Sequence, residues 1–234
     1  MASSADHVFR QPEDVASVMT GFIESVGASL LAGVILVFIT AFTSQRARWI
    51  LTGLLGRLLD VDVDAVFSDK TAAQADVQRE IKRAHKVDIM SGRGSELQRD
   101  TFDALFLNRP ANRTVSLRIL LPKTAVAPGE HDWTLQRETE LSRFDGAFGK
   151  GLLREQIDSN VRFFQEYVAS GKVELRRFQY PHIGRVVLTD RCAYYTPYRA
   201  DRHGRECPVY KFRRGDLYDN LQRLFDQLWN AAGA

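Results

Sequence analysis

"YPHIGRVVLTD", residues 180–190, decides how this chain is read. A histidine, His182, stands just ahead of an apolar, β-branched run that ends in Asp190. Such a run predicts a buried strand, and a turn at Asp190 and Arg191 leads to a second strand in "AYYTPY", residues 193–198. On the upstream side Gly171 ends a helix and "KVELRRFQY" reads as a strand. Downstream, "PVYKFRRG" predicts a last strand. "DLYDNLQRLFDQLW" then predicts an amphipathic terminal helix capped by Asp216, with Trp229 in the core.

The first half of this region adds alternating elements. "KVDIMSGRG" predicts a strand running into a glycine turn, and "SELQRDTFDALFLN" has helical spacing at Leu97, Phe102, Leu105 and Phe106. "TVSLRILLPKT" is a buried strand ended by Pro122. Helices are expected over 135–144 and 151–170; in the second, Leu153, Ile157, Val161, Phe164 and Val168 share one face. The expected domain, 86–234, is therefore α/β with a mixed sheet flanked by helices, parallel where helices cross over and antiparallel later.

Composition allows a packed core: 44% of residues are hydrophobic and 10% aromatic, which excludes global disorder. Net charge is +3, but from Lys172 to Arg214 there are 11 Lys/Arg against 4 Asp/Glu. Such a run attracts phosphates, nucleotides, nucleic acid or acidic headgroups, or it is a solvated face. Cys192 and Cys207 make no disulfide framework, no metal-ligand spacing occurs, and no cofactor is expected. His131 and Asp132 form a pair with no third partner suggested by spacing.

Toward the N-terminus, residues 25–43 carry no charge, about the length that crosses roughly 30 Å of hydrocarbon. This predicts one transmembrane helix over 23–43 and an inner-membrane protein. Arg46, Arg48 and Arg57 place the tail 1–22 outside and the remainder in the cytoplasm. Ala28 and Ala32, and Ser29 and Gly33, allow close helix contact and a homo-oligomer. Residues 44–85 are expected to be a headgroup-level helix over 48–67 followed by a connector helix capped by Ser68.

Two stretches carry candidate chemistry. "SGRGSE", residues 91–96, sets glycines between a strand and a helix start, so Arg93 and Ser95 are candidates to hold an anion. It lacks the Lys-Ser/Thr of a nucleotide-hydrolysing loop. Loops at the carboxyl ends of strands collect ligands in such sheets, which would bring Arg93 and Ser95 to the crevice of the 182–198 hairpin. There Arg185, Thr196, Tyr198 and Arg199 are the further candidates, with Arg176, Arg177, Arg202, His203 and Arg205 able to complete an anion pocket or partner surface. Tyr194 and Tyr195 read as packing residues.

Arg185 and Asp190 stand five residues apart, and "AYYTPY" follows. With the element order from 86 to 231, this resembles one half of the phospholipase D superfamily fold. There a histidine, a lysine two residues on and an aspartate five further form a half-site, and two halves face each other. The resemblance implies that His182 and Asp190 are the remains of a phosphodiester-cleaving centre, His182 being suited to nucleophile or acid/base work. His182 lies three residues before Arg185 rather than two, Gly184 holds the lysine position, and Thr196-Pro197-Tyr198 replace the family's Gly-Ser-x-Asn. Three roles are open to His182: a turn residue, a phosphate contact in a site without catalysis, or a nucleophile completed by a second subunit. The expected function is a membrane-anchored sensor or effector, as in bacterial antiviral defence, that binds an anionic ligand or a partner protein. The alternative is a homodimeric phosphodiesterase, and a nucleic-acid adaptor is the third reading.

Overall fold

The computed structural model describes residues 29–31, 33–37, 62–98, 115–149 and 151–233. The chain divides into two compact units, Met1–Leu51 and Thr52–Ala234. In the second unit, seven strands among the described residues form one sheet. They are β1 (Val63–Phe67), β2 (Lys86–Met90), β3 (Ser116–Pro122), β4 (Glu174–Phe178), β5 (Gly184–Thr189), β6 (Cys192–Pro197) and β7 (Val209–Arg213). Their order across the sheet is β1-β7-β6-β5-β2-β3-β4. The β2-β3 and β3-β4 pairs are parallel, whereas β5 joins β2 antiparallel and β6, β7 and β1 continue antiparallel. The mixed α/β sheet expected from the sequence is thus present, with its parallel and antiparallel halves in the expected order.

The helices are α1 (Lys70–Arg83), α2 (Trp133–Ser142), α3 (Leu152–Ala169) and α4 (Asp216–Ala231). Strand alternation sorts the core into two faces. Val87, Ile89, Ile119, Leu121 and Val187 meet Ala73, Val77 and Ile81 of α1 and Phe164 of α3. Met90, Leu120, Val186, Leu188 and Phe212 meet Tyr218, Phe225 and Trp229 of α4. Phe164 and Phe225 are 0% and 1% exposed, and burying each such ring contributes about 1.5–3 kcal/mol. Leu153 and Ile157 of α3 also join Leu141 and Phe148 in a smaller cluster that seats α2.

Several local expectations are corrected. Residues 63–67, read as part of a headgroup-level helix, are strand β1, paired with β7 at the sheet edge; Ala65 and Phe67 point into the core. Asp62 and Asp64 flank the apolar positions, so the alternation of a half-buried strand is present but masked by the leucines before it. Helix α1, read as a connector, is packed on the sheet through Ala73, Val77 and Ile81. Its N-cap is Asp69 rather than Ser68: the carboxylate accepts from the Ala72 N–H at 2.9 Å, which holds the Asp69 carboxyl below its usual range. Asp216 does not cap α4. It is the first helical residue, and the carboxylate of Asp62 accepts from the Leu217 N–H at 3.2 Å instead.

The first unit is described at 29–31 and 33–37, which are helical, with Leu30, Leu31, Val34, Ile35, Leu36 and Val37 exposed. Among the described residues no helix is long and apolar enough to cross a membrane. The transmembrane helix expected over 23–43 is therefore unsupported, and the fold class that the described residues establish is the mixed α/β sheet. The remainder of that span, the stretch 48–61, and Phe102, Leu105 and Phe106 lie outside the described residues.

Candidate functional site

β2 ends in the sheet's interior, and its chain leaves as Ser91-Gly92-Arg93-Gly94 into a one-turn helix, Ser95–Gln98. This loop, the start of β5, the end of β6 and the α2–α3 corner enclose a cavity of about 290 Å³. Five cationic side chains line it, Lys70, Arg93, Arg137, Arg185 and Arg205, against the two carboxylates Glu96 and Asp145. His182, His203, Tyr198, Ser95, Phe148, Leu141 and Leu153 complete the wall.

A hydrogen-bonded frame shapes the floor. The Ser91 hydroxyl donates to Glu96 Oε1 at 2.5 Å and accepts from the Gly94 N–H at 3.1 Å. Burial pushes the Glu96 carboxyl up, but the Arg185 charge and the Ser91 hydroxyl outweigh it and hold Glu96 below the usual carboxylate range. Arg185 Nη1 lies 3.8 Å from Glu96, and Nη2 donates to Thr196 Oγ1 at 3.2 Å. Arg93 donates to Gln156 Oε1 at 3.0 Å and lies over the Phe148 ring.

Tyr198 joins the two halves of the site. Its hydroxyl accepts from the Gly92 N–H at 3.2 Å, and the Arg137 guanidinium lies over its ring at 5.4 Å. A Cβ at Gly92 would stand 2.9 Å from the ring and one at Gly204 2.7 Å, so the two glycines let opposite loops close on Tyr198. Burial pushes the Tyr198 phenol up, and the neighbouring Glu96 charge adds to it. Arg137 is itself buried, held by Glu140 Oε2 at 2.7 Å and by the Arg199 carbonyl at 3.0 Å.

His182 is the exception in this frame. Both ring nitrogens are shielded from solvent, and neither has a hydrogen-bond partner. The ring lies against Phe178. Burial, with the Arg137 charge adding to it and Asp132 opposing, pushes its pKa down to about 4, so the imidazole is neutral at pH 7. Buried polar atoms are nearly always satisfied, and the two His182 nitrogens depart from that rule although the residue borders the cavity.

The candidates named from sequence fall into three groups. Arg93, Ser95, His182, Arg185 and Tyr198 line one cavity, so the "SGRGSE" loop and the 182–198 hairpin do meet. Thr196 stands behind them, orienting Arg185. Arg199 contributes its carbonyl to Arg137, while its exposed guanidinium forks onto Asp201 at 2.9 Å. Asp190 is at the far end of β5, where it accepts from the His85 N–H at 3.1 Å; a six-residue strand, roughly 20 Å, separates it from His182. Burial pushes the Asp190 carboxyl up, and the His85 N–H overrides this to leave it low. His131, the weak pair's histidine, bonds Gln136 Oε1 at 2.7 Å instead.

The basic run is also redistributed. Lys211 binds Asp76 at 2.9 Å, Arg177 binds Asp158 at 3.0 Å, and Arg176 donates to the Trp229 carbonyl. From that run the cavity receives Arg185 and Arg205. Sequence reasoning missed Ser91, Glu96, Arg137 and Asp145 as site residues. Arg137 carried a signal: it lies at helical spacing between Thr134 and Leu141 and is buried with them.

These positions correct the catalytic resemblance. His182 precedes β5 rather than lying on it. A side chain at Gly184, the lysine position, would stand 2.5 Å from Tyr195 and 2.9 Å from the Thr196 carbonyl. His182 and Asp190 cannot share a centre within one chain. No protein-family model matches the chain, and no curated protein matches it by sequence. A solved structure of TrmBL2, described as an archaeal chromatin protein with a novel mode of DNA binding, is similar at 16% identity and a TM-score of 0.45. The similarity covers 95% of this chain and 70% of that one.

Proposed function

We propose that the sheet domain is a receptor for a small anionic ligand, held in the cavity at the carboxyl end of β2, and that it works without chemistry on that ligand. The observation that carries this is the excess of cationic side chains over carboxylates around one cavity. Arg93 and Arg185 each give one hydrogen bond to a neutral side chain, while a guanidinium has five N–H donors and grips phosphate or carboxylate in bidentate fashion. In all, five cationic side chains border this cavity against two carboxylates. The dimeric phosphodiesterase reading draws no support from this arrangement, since Asp190 is committed to His85 at the opposite end of β5.

Calorimetric titration of the full chain with inorganic phosphate and pyrophosphate tests the proposal. Arg93→Gln combined with Arg185→Gln is expected to weaken binding at least tenfold in a chain that circular dichroism shows to be folded; some loss of melting temperature is expected because Arg185 neutralises the buried Glu96. Unchanged affinity in the double variant would remove the cavity as the anion site. Nucleic acid is the other anionic partner to test, with duplex DNA titrated at rising salt. A steep fall in affinity that ignores base sequence would mark a phosphate-backbone surface in place of a pocket.

A further inference from the structure

Building on the anion-receptor reading, we infer that the ligand is an oxyanion that brings its own proton. It is a hydrogen phosphate group, free or singly esterified, and Glu96 selects it against sulfate and phosphodiesters. Five cations around one cavity would by themselves favour whichever anion carries the most charge. An ionised carboxylate in the same wall changes that rule. It repels a fully ionised oxygen and accepts a hydrogen bond from a protonated one. Sulfate and phosphodiesters have no proton to offer near neutral pH, whereas hydrogen phosphate has one.

Local geometry fixes Glu96 as an acceptor. The Ser91 hydroxyl accepts from the Gly94 N–H at 3.1 Å and gives its proton to Glu96 Oε1 at 2.5 Å. Arg185 Nη1 stays 3.8 Å from the carboxylate, beyond a hydrogen bond, yet its charge keeps Glu96 ionised. A carboxylate has about four acceptor sites, and Ser91 with the residue's own N–H occupies only part of them. The Glu96 and Arg185 side chains both line the cavity and keep 11% and 12% exposure, so acceptor and cation are each within a ligand's reach. Asp145, the other carboxylate, is engaged at both oxygens: Oδ2 meets His203 at 3.0 Å, and Oδ1 accepts from the Ala147 N–H at 3.0 Å. Arg93 and Arg185 suit the ligand's ionised oxygens. A cavity of about 290 Å³, at the small end of ligand sites, admits a phosphate group with a small substituent.

Isothermal titration of the full chain with inorganic phosphate, methyl phosphate, dimethyl phosphate and sulfate tests this at about pH 6, where a phosphomonoester is roughly half protonated. Inorganic or methyl phosphate is expected to bind at least tenfold tighter than sulfate and dimethyl phosphate, the tighter of the two telling free from esterified phosphate. Sulfate carries the larger charge at that pH, so attraction to the cations alone predicts the opposite order. Glu96→Gln puts a donating amide in place of the carboxylate and should raise sulfate affinity at least tenfold. Sulfate binding as tightly as both phosphates would overturn selection by Glu96 and leave the anion receptor standing. Binding of none of the four would take down the receptor reading itself, and the inference with it. The comparison among ligands on the native chain is decisive whether or not the variant folds.

Discussion

Tyr194 and Thr196 are two residues apart on β6, face the same side of the sheet, and belong to charged clusters of opposite kind. The Tyr194 hydroxyl donates to Asp76 at 2.6 Å, and Asp76 also receives Lys211 at 2.9 Å, with Glu80 and Asp64 at 3.7 and 3.4 Å from the same ammonium. Arg79 binds Asp76 as well. That cluster is closed, because its one buried cation is surrounded by acids. At Thr196 the balance is reversed: Arg185 has a long contact to one carboxylate, further cations line the same wall, and His182 has nothing. A buried charge is therefore not by itself a functional sign. What distinguishes a site is valence left over after the fold has been satisfied.

The contrast is tested most severely at the closed cluster. Lys211→Met removes the buried cation shared by Asp76 and Glu80, leaving them the exposed Arg79 and Arg191, and should destabilise the fold by about 3 kcal/mol, read from urea unfolding. If Lys211→Met cost less than about 1 kcal/mol, the cluster would be as open as the pocket and the contrast would fail.

Next comes His182, through pH. Its folded pKa of about 4 lies below the ordinary value of 6.5, so between those values the unfolded chain binds the extra proton. Stability from this residue is complete above about pH 6.5 and is lost as pH falls toward 4, by at most about 3 kcal/mol. Chemical denaturation across that range should show the loss, and His182→Phe should flatten that part of the profile. An identical acid limb in the variant would show that His182 is solvated in the folded protein.

The smallest effect is expected at Arg199, whose guanidinium is exposed and engaged with Asp201. Arg199→Ala keeps the carbonyl that Arg137 uses, and phosphate affinity should stay within twofold of the native chain. A tenfold loss would extend the site to the 199–202 turn and blur its boundary.

How much of this is legible in the sequence depends on the range of the interactions. Strands β2 to β7 and helices α2 to α4 are readable because their apolar periodicity repeats within a few residues. β1 is not, because five residues of alternation run on from a leucine-rich stretch, and its partner β7 is far away in the chain. The meeting of Arg93, Ser95, Arg185 and Tyr198 can be read from the rule that strand ends gather loops. The frame around them cannot: Ser91 and Glu96 answer to Arg185, and Arg137 to Tyr198, across separations that spacing does not encode.

By itself the sequence determined the α/β class, the mixed sheet and the candidate loop, since each follows from local pattern and from the preferences of short segments. Tertiary structure alone decided which charges are spent and which remain. Lys211 is quenched by Asp76 and Glu80 and Arg177 by Asp158, Asp190 is held by His85 at the end of β5 away from His182, and His182 is left with both nitrogens unpartnered. The physical reason is that satisfaction of a polar group is a property of everything packed around it. A residue's own neighbours in the chain say little about that.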